Sequence, residues 1–236
     1  MLQKRACDLT LEDHAFYLSQ SDFGHCLNED LLARFAANSF AIDYRRRRFI
    51  YRAGDPADSL YLIARGRVKL CRVEEITGRE AVIDILSAGS LFGESALYSM
   101  GEREKCAVAY ENSRLLRIPA GDFKEGMAEN RSLYDYTFRL IGQRLARAER
   151  LVADFALDAI PARLEKLLLE FSKRYGVTET GGVLIDISLP HREIASIVGS
   201  TRESVTVRLN AMRREGIIDF VDRKILIKRP ESLAVA

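Results

Sequence analysis

The stretch LPHREIASIVGSTRESVTVRLNAMRREGIIDFVDRKILIKRP, residues 189–230, decides the architecture of the C-terminal part of this 236-residue chain. His191 to Val198 has the period of a short helix and stops at Gly199, while Ser200 or Thr201 caps a second helix that ends before Gly216. Two helices at that spacing form a helix-turn-helix. Beyond them, IIDFV and KILIK flank Asp222-Arg223 as a small hairpin, which makes the module winged. A projection of the second helix at ~100° per residue puts Val205, Leu209 and Met212 on one apolar face. Glu203, Val207, Asn210 and Arg214 gather on the other side, with Thr206 close by and Arg202 at the N-terminal end. Helices of this kind use their N-terminal side chains on base edges in a major groove. Arg202 and Glu203 suit G·C pairs, and Val207, which neither donates nor accepts, suits a thymine methyl. The competing reading of the same segment is a winged helix used only for contact with another protein.

Working upstream, LDAIPARLEKLLLEF (157–171) marks a joint. Ile160 precedes a proline and is disfavoured as helix, whereas Pro161 suits a first helical turn, so one helix ends near Asp158 and the next starts at Pro161. Before the joint, Leu133, Tyr136, Leu140, Ile141, Leu145, Ala148, Val152 and Phe155 recur at helical steps. This long amphipathic helix exceeds what a small β-domain needs to cover itself, so part of its stripe is expected to meet a second copy as a coiled-coil seam. Residues 40–118 read instead as short strands broken by Ala53-Gly54-Asp55-Pro56, Arg65-Gly66 and Thr77-Gly78, the pattern of a β-barrel or β-roll. The run Arg45–Arg48 within them reads as a solvated strand and turn. The expected fold is α+β. An N-terminal segment and sensing β-roll occupy 1–131, a dimerisation helix 132–158, and a winged helix-turn-helix 159–236.

Composition narrows the function classes. The net charge of +2 divides unevenly: residues 188–229 hold 9 Lys/Arg against 5 Asp/Glu, which suits a polyanionic partner. No apolar run approaches the ~18 residues of a membrane span, and the start MLQKRACDLTLEDH has no apolar signal core, so a cytoplasmic protein without a membrane partner is expected. The four cysteines, Cys7, Cys26, Cys71 and Cys106, contain no C-x-x-C pair and match no zinc spacing; reduced thiols are expected, their redox role left open. Phosphate-loop and His-Glu-x-x-His motifs are absent from the sequence, and no enzyme is expected.

GSTRESV following REIASIVG, behind GDPADSLYLIARGRVKL and GSLFGESA with a long helix between, resembles the CRP/FNR superfamily of bacterial transcription regulators across about residues 25–229. The resemblance implies a homodimer on an inverted-repeat operator, controlled allosterically by an effector in the β-roll, with RNA polymerase a further expected partner. It puts His191, Arg192 and Thr201 at phosphates and Arg202 and Glu203 at bases. The family often has an arginine where this chain has Val207, and Arg208 falls beside it as a phosphate candidate.

In the β-roll, cyclic-nucleotide-binding members present Phe-Gly-Glu followed by Arg and Ser or Thr before Ala. Phe92-Gly93-Glu94 is retained here, while Lys105-Cys106 stands before Ala107. Lysine lacks arginine's bidentate fork, and a thiol is a poor substitute for a hydroxyl. The helix positions that meet the purine correspond to Arg147 and Ala148, where a hydroxyl-bearing pair is typical. An effector other than cyclic AMP is therefore expected, such as an anionic or aromatic metabolite. The alternatives are a cyclic-AMP-responsive regulator and a redox- or gas-responsive one. An iron-sulfur cluster would need four converging thiolates, whereas haem needs one or two ligands, for which His14, His25 and Cys26 are the candidates.

Overall fold

The computed structural model describes residues 5–6, 9–74, 76–98 and 101–233; Cys7 lies outside them. The elements in chain order are β1 (Arg5–Ala6), α1 (Leu11–Ser19), α2 (Glu29–Asn38), β2 (Phe40–Tyr44), β3 (Phe49–Tyr51), β4 (Ser59–Arg65), β5 (Arg67–Val73), β6 (Glu80–Ser87) and β7 (Leu91–Phe92). They continue with α3 (Ser95–Tyr98), β8 (Cys106–Ala109), β9 (Ser113–Pro119), α4 (Ala120–Glu129), α5 (Arg131–Leu157) and α6 (Ile160–Tyr175). The last are β10 (Gly176–Glu179), β11 (Gly182–Ile185), α7 (His191–Val198), α8 (Arg202–Arg214), β12 (Ile218–Val221) and β13 (Lys224–Ile227).

The chain forms two compact units, 1–145 and 146–236. In the first, a sheet ordered β1-β2-β9-β4-β7 faces one ordered β3-β8-β5-β6. Strand alternation decides what lies between them. Tyr61 and Ile63 of β4 join Tyr51, Val68, Leu70, Phe92, Ala107 and Leu115 in the inner core, whereas Leu60 and Leu62 turn outward to Phe35, Phe123 and Leu133 beneath α2, α4 and the start of α5. Asn28 caps α2 by accepting from the Leu31 amide, and Thr10 and Asp13 form a reciprocal capping box on α1. Arg45–Arg48 form an exposed turn between β2 and β3, with Arg47 at φ +67°.

The division between units falls inside α5, whereas the sequence puts boundaries at each end of this helix. Leu133 and Thr137 are buried in its first turns, and Tyr136 and Leu140 pack on the outer core of the first unit. At its far end Asp154 and Asp158 both accept from Lys166 of α6, so those residues belong with the second unit. The joint falls where the proline suggests, but α6 starts one residue early: Ala159 is its N-cap, Ile160 is its first residue and Pro161 lies in its first turn.

The second unit packs α6, α7 and α8 with a sheet ordered β10-β11-β13-β12. Its buried residues include Leu164, Leu168, Phe171, Ile194, Val198, Val205, Leu209, Met212, Ile225 and Ile227. Val205, Leu209 and Met212 are the three residues that the projection of α8 puts on one face.

Candidate nucleic-acid interface and effector site

Gly199 ends α7 in the left-handed conformation, φ +63°, where a side chain would also run into Phe155. Thr201 then caps α8, its hydroxyl accepting from the Ser204 amide at 3.2 Å. This short turn leaves Arg202 and Glu203 exposed on the first turn of α8, with Val207 one turn on at 68% exposure. Further along the same surface, Val207, Asn210, Arg213 and Arg214 line an open depression of about 630 Å³. The wing is β12 and β13, paired Val221 with Lys224 around Asp222 and Arg223. Both turn residues have positive φ, 47° and 65°, as a two-residue hairpin with the right twist requires. Asp219 ties the wing to α8 and to its own sheet, accepting from Arg213 at 3.1 Å and Lys228 at 2.8 Å. Lys228 and the Phe220 amide hold its carboxyl down at about 2.

The phosphate candidates do not share one environment. Arg192 and Thr201 are exposed. His191 Nδ1 lies 2.7 Å from the Thr206 hydroxyl, which itself donates to the Arg202 carbonyl at 2.8 Å. Thr206, a candidate base reader, is thus held between the start of α7 and the backbone of α8. With its proton spent on Arg202, the hydroxyl is left to accept, so Nδ1 is assigned as the protonated nitrogen, which makes Nε2 the acceptor. Burial, with Arg202 nearby, keeps the His191 pKa below the ordinary histidine value. Arg208 is placed differently from the sequence expectation, donating to Glu165 of α6 at 2.6 Å. A projection of α8 alone does not show the carboxylate that the neighbouring helix brings to this flank.

In the first unit, Gly93 adopts φ +86° after Phe92, and a side chain there would press on the Ser59 carbonyl and on Arg103. Phe92 stacks on Tyr61 at 5.3 Å and tilts against Tyr51 at 6.1 Å. Glu94, 3% exposed, accepts from Lys105 Nζ at 2.9 Å and pairs with Arg144 of α5. Arg144 also donates to the Leu91 carbonyl at 2.7 Å. Burial pushes the Lys105 ammonium below its ordinary value, opposed by Glu104 and Asp84. Arg103, 2% exposed, donates to the carbonyls of Gly93 at 2.9 Å and Ser59 at 2.6 Å, with its guanidinium 4.4 Å from the Tyr51 ring. Among the described residues, the buried Tyr44 and Tyr51 hydroxyls find no hydrogen-bond partner.

Three residues expected at this site have other surroundings within their own units. Cys106 lies on the face of β8 opposite to Ala107, in a small cluster with Cys71 and Val108, because alternate strand residues point to opposite sides. Arg147 pairs with Glu170 of α6 at 3.0 Å within the second unit, and Ala148 is exposed. Arg144, about one turn earlier on the helix, is the α5 residue that pairs with Glu94. Arg103 and Arg144 both escaped the sequence reading.

The haem candidates have contacts of their own within the fold. His14 Nδ1 lies 3.1 Å from both the Ala36 carbonyl and the Ser39 hydroxyl, between α1 and α2. Cys26 is in the outer core, 3.3 Å from His25 Nε2, and burial raises its thiol pKa. Among the described residues no three His, Cys, Asp or Glu side chains gather as a metal group, and no helix is long and apolar enough to cross a membrane.

A cyclic nucleotide-binding domain model matches residues 41–130, and a Crp-like helix-turn-helix model matches 162–236. The global nitrogen regulator of Nostoc sp. (strain PCC 7120) is 31% identical over 193 residues, 81% of this chain and 86% of that protein. The chain belongs to the CRP/FNR family. A second relative, the CRP-like cAMP-activated global transcriptional regulator of Mycobacterium tuberculosis, is 29% identical over 193 residues, 82% of this chain and 86% of that protein. Among solved structures, FixK2 from Bradyrhizobium japonicum superposes with a TM-score of 0.74 at 21% identity, covering 84% of this chain and 98% of its own, a likeness of fold. A CRP/FNR family regulator from Thermus thermophilus reaches 0.66 at 29% identity, covering 82% and 95%. The family gives the two units their general roles: a cyclic-nucleotide-binding-like roll and a DNA-binding helix-turn-helix of a transcription regulator.

Proposed function

We propose that two copies of this chain pair through α5 and read an inverted-repeat DNA site, each with one α8 helix, under the control of an anionic effector other than cyclic AMP. The observation that carries the DNA reading is the group of exposed side chains at the start of α8. Arg202 and Glu203 stand out beside Val207, while the apolar side of the same helix is wholly buried. Arg192, Thr201 and, on protonation, His191 supply phosphate contacts around them. Arg208 contributes only where DNA competes it away from Glu165. RNA polymerase is the partner expected at a promoter. The chain acts as a regulator rather than an enzyme, in keeping with its relatives, which are transcriptional regulators.

Pairing is supported by Phe138, Leu145 and Val152, seven residues apart on α5 and 70%, 60% and 69% exposed. Apolar residues at heptad spacing form the seam of a coiled coil.

The effector reading rests on charge. Lys105 and Arg144 both pair with Glu94, and Arg103 is bonded to the neighbouring Gly93 carbonyl; Glu104 and Asp84 also act on Lys105, but three buried or half-buried cations at one turn favour a ligand anion. Glu94, the group that would accept a ribose hydroxyl, already holds two cations. The two relatives are named for different roles, a cAMP-activated regulator and a nitrogen regulator, at nearly the same identity, so the effector has to be read from this chain's own residues. Thermal-shift screening with cyclic nucleotides, 2-oxoglutarate, haem and aromatic acids tests the reading. A specific anion should raise the melting temperature as its concentration passes its Kd, whereas a rise with cyclic AMP alone would refute it.

A further inference from the structure

β5 and β8 run antiparallel with Cys71 directly opposite Cys106, and both residues carry thiols. They lie on the same face, 0% and 5% exposed, closed in by Val108 and, at the edge, Phe49 and Val73. Two small buried thiols could serve as filling alone; what distinguishes these is direct opposition across a strand pair. The Tyr110 amide donates to the Arg67 carbonyl, so counting along the ladder makes Cys71 and Cys106 a hydrogen-bonded pair. Such pairs have Cα atoms ~5.5 Å apart, within the range that disulfides span. Their Cβ atoms start at ~4.5–5.5 Å, longer than the ~3.8 Å mean of a relaxed disulfide. A bond closed here would be strained and easily reduced, as labile regulatory disulfides are. Lys69, on the same face two residues before Cys71, is also buried and holds Glu80 at 2.6 Å, so charge stands beside the sulfurs.

We propose that Cys71 and Cys106 form a dithiol site that hydrogen peroxide converts into a reversible cross-strand disulfide. Cys106, the less buried, reacts first. Its thiolate attacks the O–O bond, giving a sulfenic acid and a hydroxide that takes up the thiol's proton as water. Cys71 sulfur then attacks the Cys106 sulfur and expels hydroxide, which leaves as water with the Cys71 proton. Two thiols lose two electrons, and the peroxide becomes two waters. Closure draws β8 toward β5 at the residue after Lys105, the cation that holds Glu94. The chemistry stands on its own whatever the roll binds.

The test uses the reduced full-length chain, treated with hydrogen peroxide, alkylated and digested with trypsin without reductant. Mass spectrometry should find Leu70–Arg72 joined to Cys106–Arg114, two hydrogens lighter than the separate peptides, and dithiothreitol should release them. Cys71→Ser should abolish that species and let Cys106 run on to sulfinic acid. Both thiols remaining alkylatable, Cys106 oxidising without a link, or either sulfur pairing instead with Cys7 or Cys26 would overturn the proposal.

Discussion

The two sites of this regulator treat charge in opposite ways. In the roll, Glu94 is sealed between Lys105 and Arg144, and Arg103 is bonded to two backbone carbonyls. On α8, Arg202 and Glu203 stand in solvent. A buried charge has to be paired inside the fold, whereas an exposed one can wait for a partner at little cost. The first site is therefore part of what holds its unit together. The second can be altered with little effect on stability and a large effect on binding.

Breaking the buried cluster should show this most strongly. Glu94→Gln leaves Lys105 and Arg144 facing a neutral amide in a dry site, and unpairing a buried ion pair costs about 3–5 kcal/mol. Urea unfolding followed in the first unit should lose that much, and a loss under about 1 kcal/mol would mean water reaches the cluster. Gly199→Ala comes next. It forces a Cβ into the left-handed region and against Phe155, so about 2 kcal/mol should go from the second unit in the same measurement. Arg202→Ala sharpens the other side of the contrast. It should weaken operator binding by about 1–3 kcal/mol, relax the preference at one base pair, and leave the melting temperature unchanged.

The smallest effect is a pH dependence. The His191 pKa is depressed in the folded chain, so its contribution to stability is present above the ordinary value near 6.5 and is lost as pH falls toward the folded value. DNA phosphates favour the protonated ring, and binding should therefore tighten over the same fall in pH while the second unit loosens. An NMR titration of the His191 ring, with and without DNA, measures both: the pKa should rise on binding, and Thr206→Val should remove the 2.7 Å contact and shift the free value.

Much of the second unit was legible because local rules decide it. Gly199 has the conformation of a helix stop, Thr201 caps α8, and helical periodicity separates Val205, Leu209 and Met212 from the groove side. The two strands around Asp222-Arg223 follow from apolar runs split by a two-residue turn. The roll was legible as strands but not as a site. Arg103 acts on carbonyls ten and forty-four residues away in sequence, and Arg144 reaches Glu94 from a helix whose placement depends on Leu133 and Thr137 being buried. No spacing rule relates those residues. Cys106 differs in kind, because alternation along CAVA already sends it to the side opposite Ala107. The signal was in the sequence, and the family motif, which treats neighbouring positions as one grip, overrode it.

The account depends most on the exposed start of α8 meeting DNA. Titrating binding of the full-length chain to an inverted-repeat duplex against salt tests this directly. Affinity should fall linearly on a log–log scale, with a slope that reflects the number of phosphates neutralised, and Arg202→Ala should weaken specific sites far more than random sequence. Binding that ignores salt, or that is lost equally on all sequences when Arg202 is removed, would contradict it.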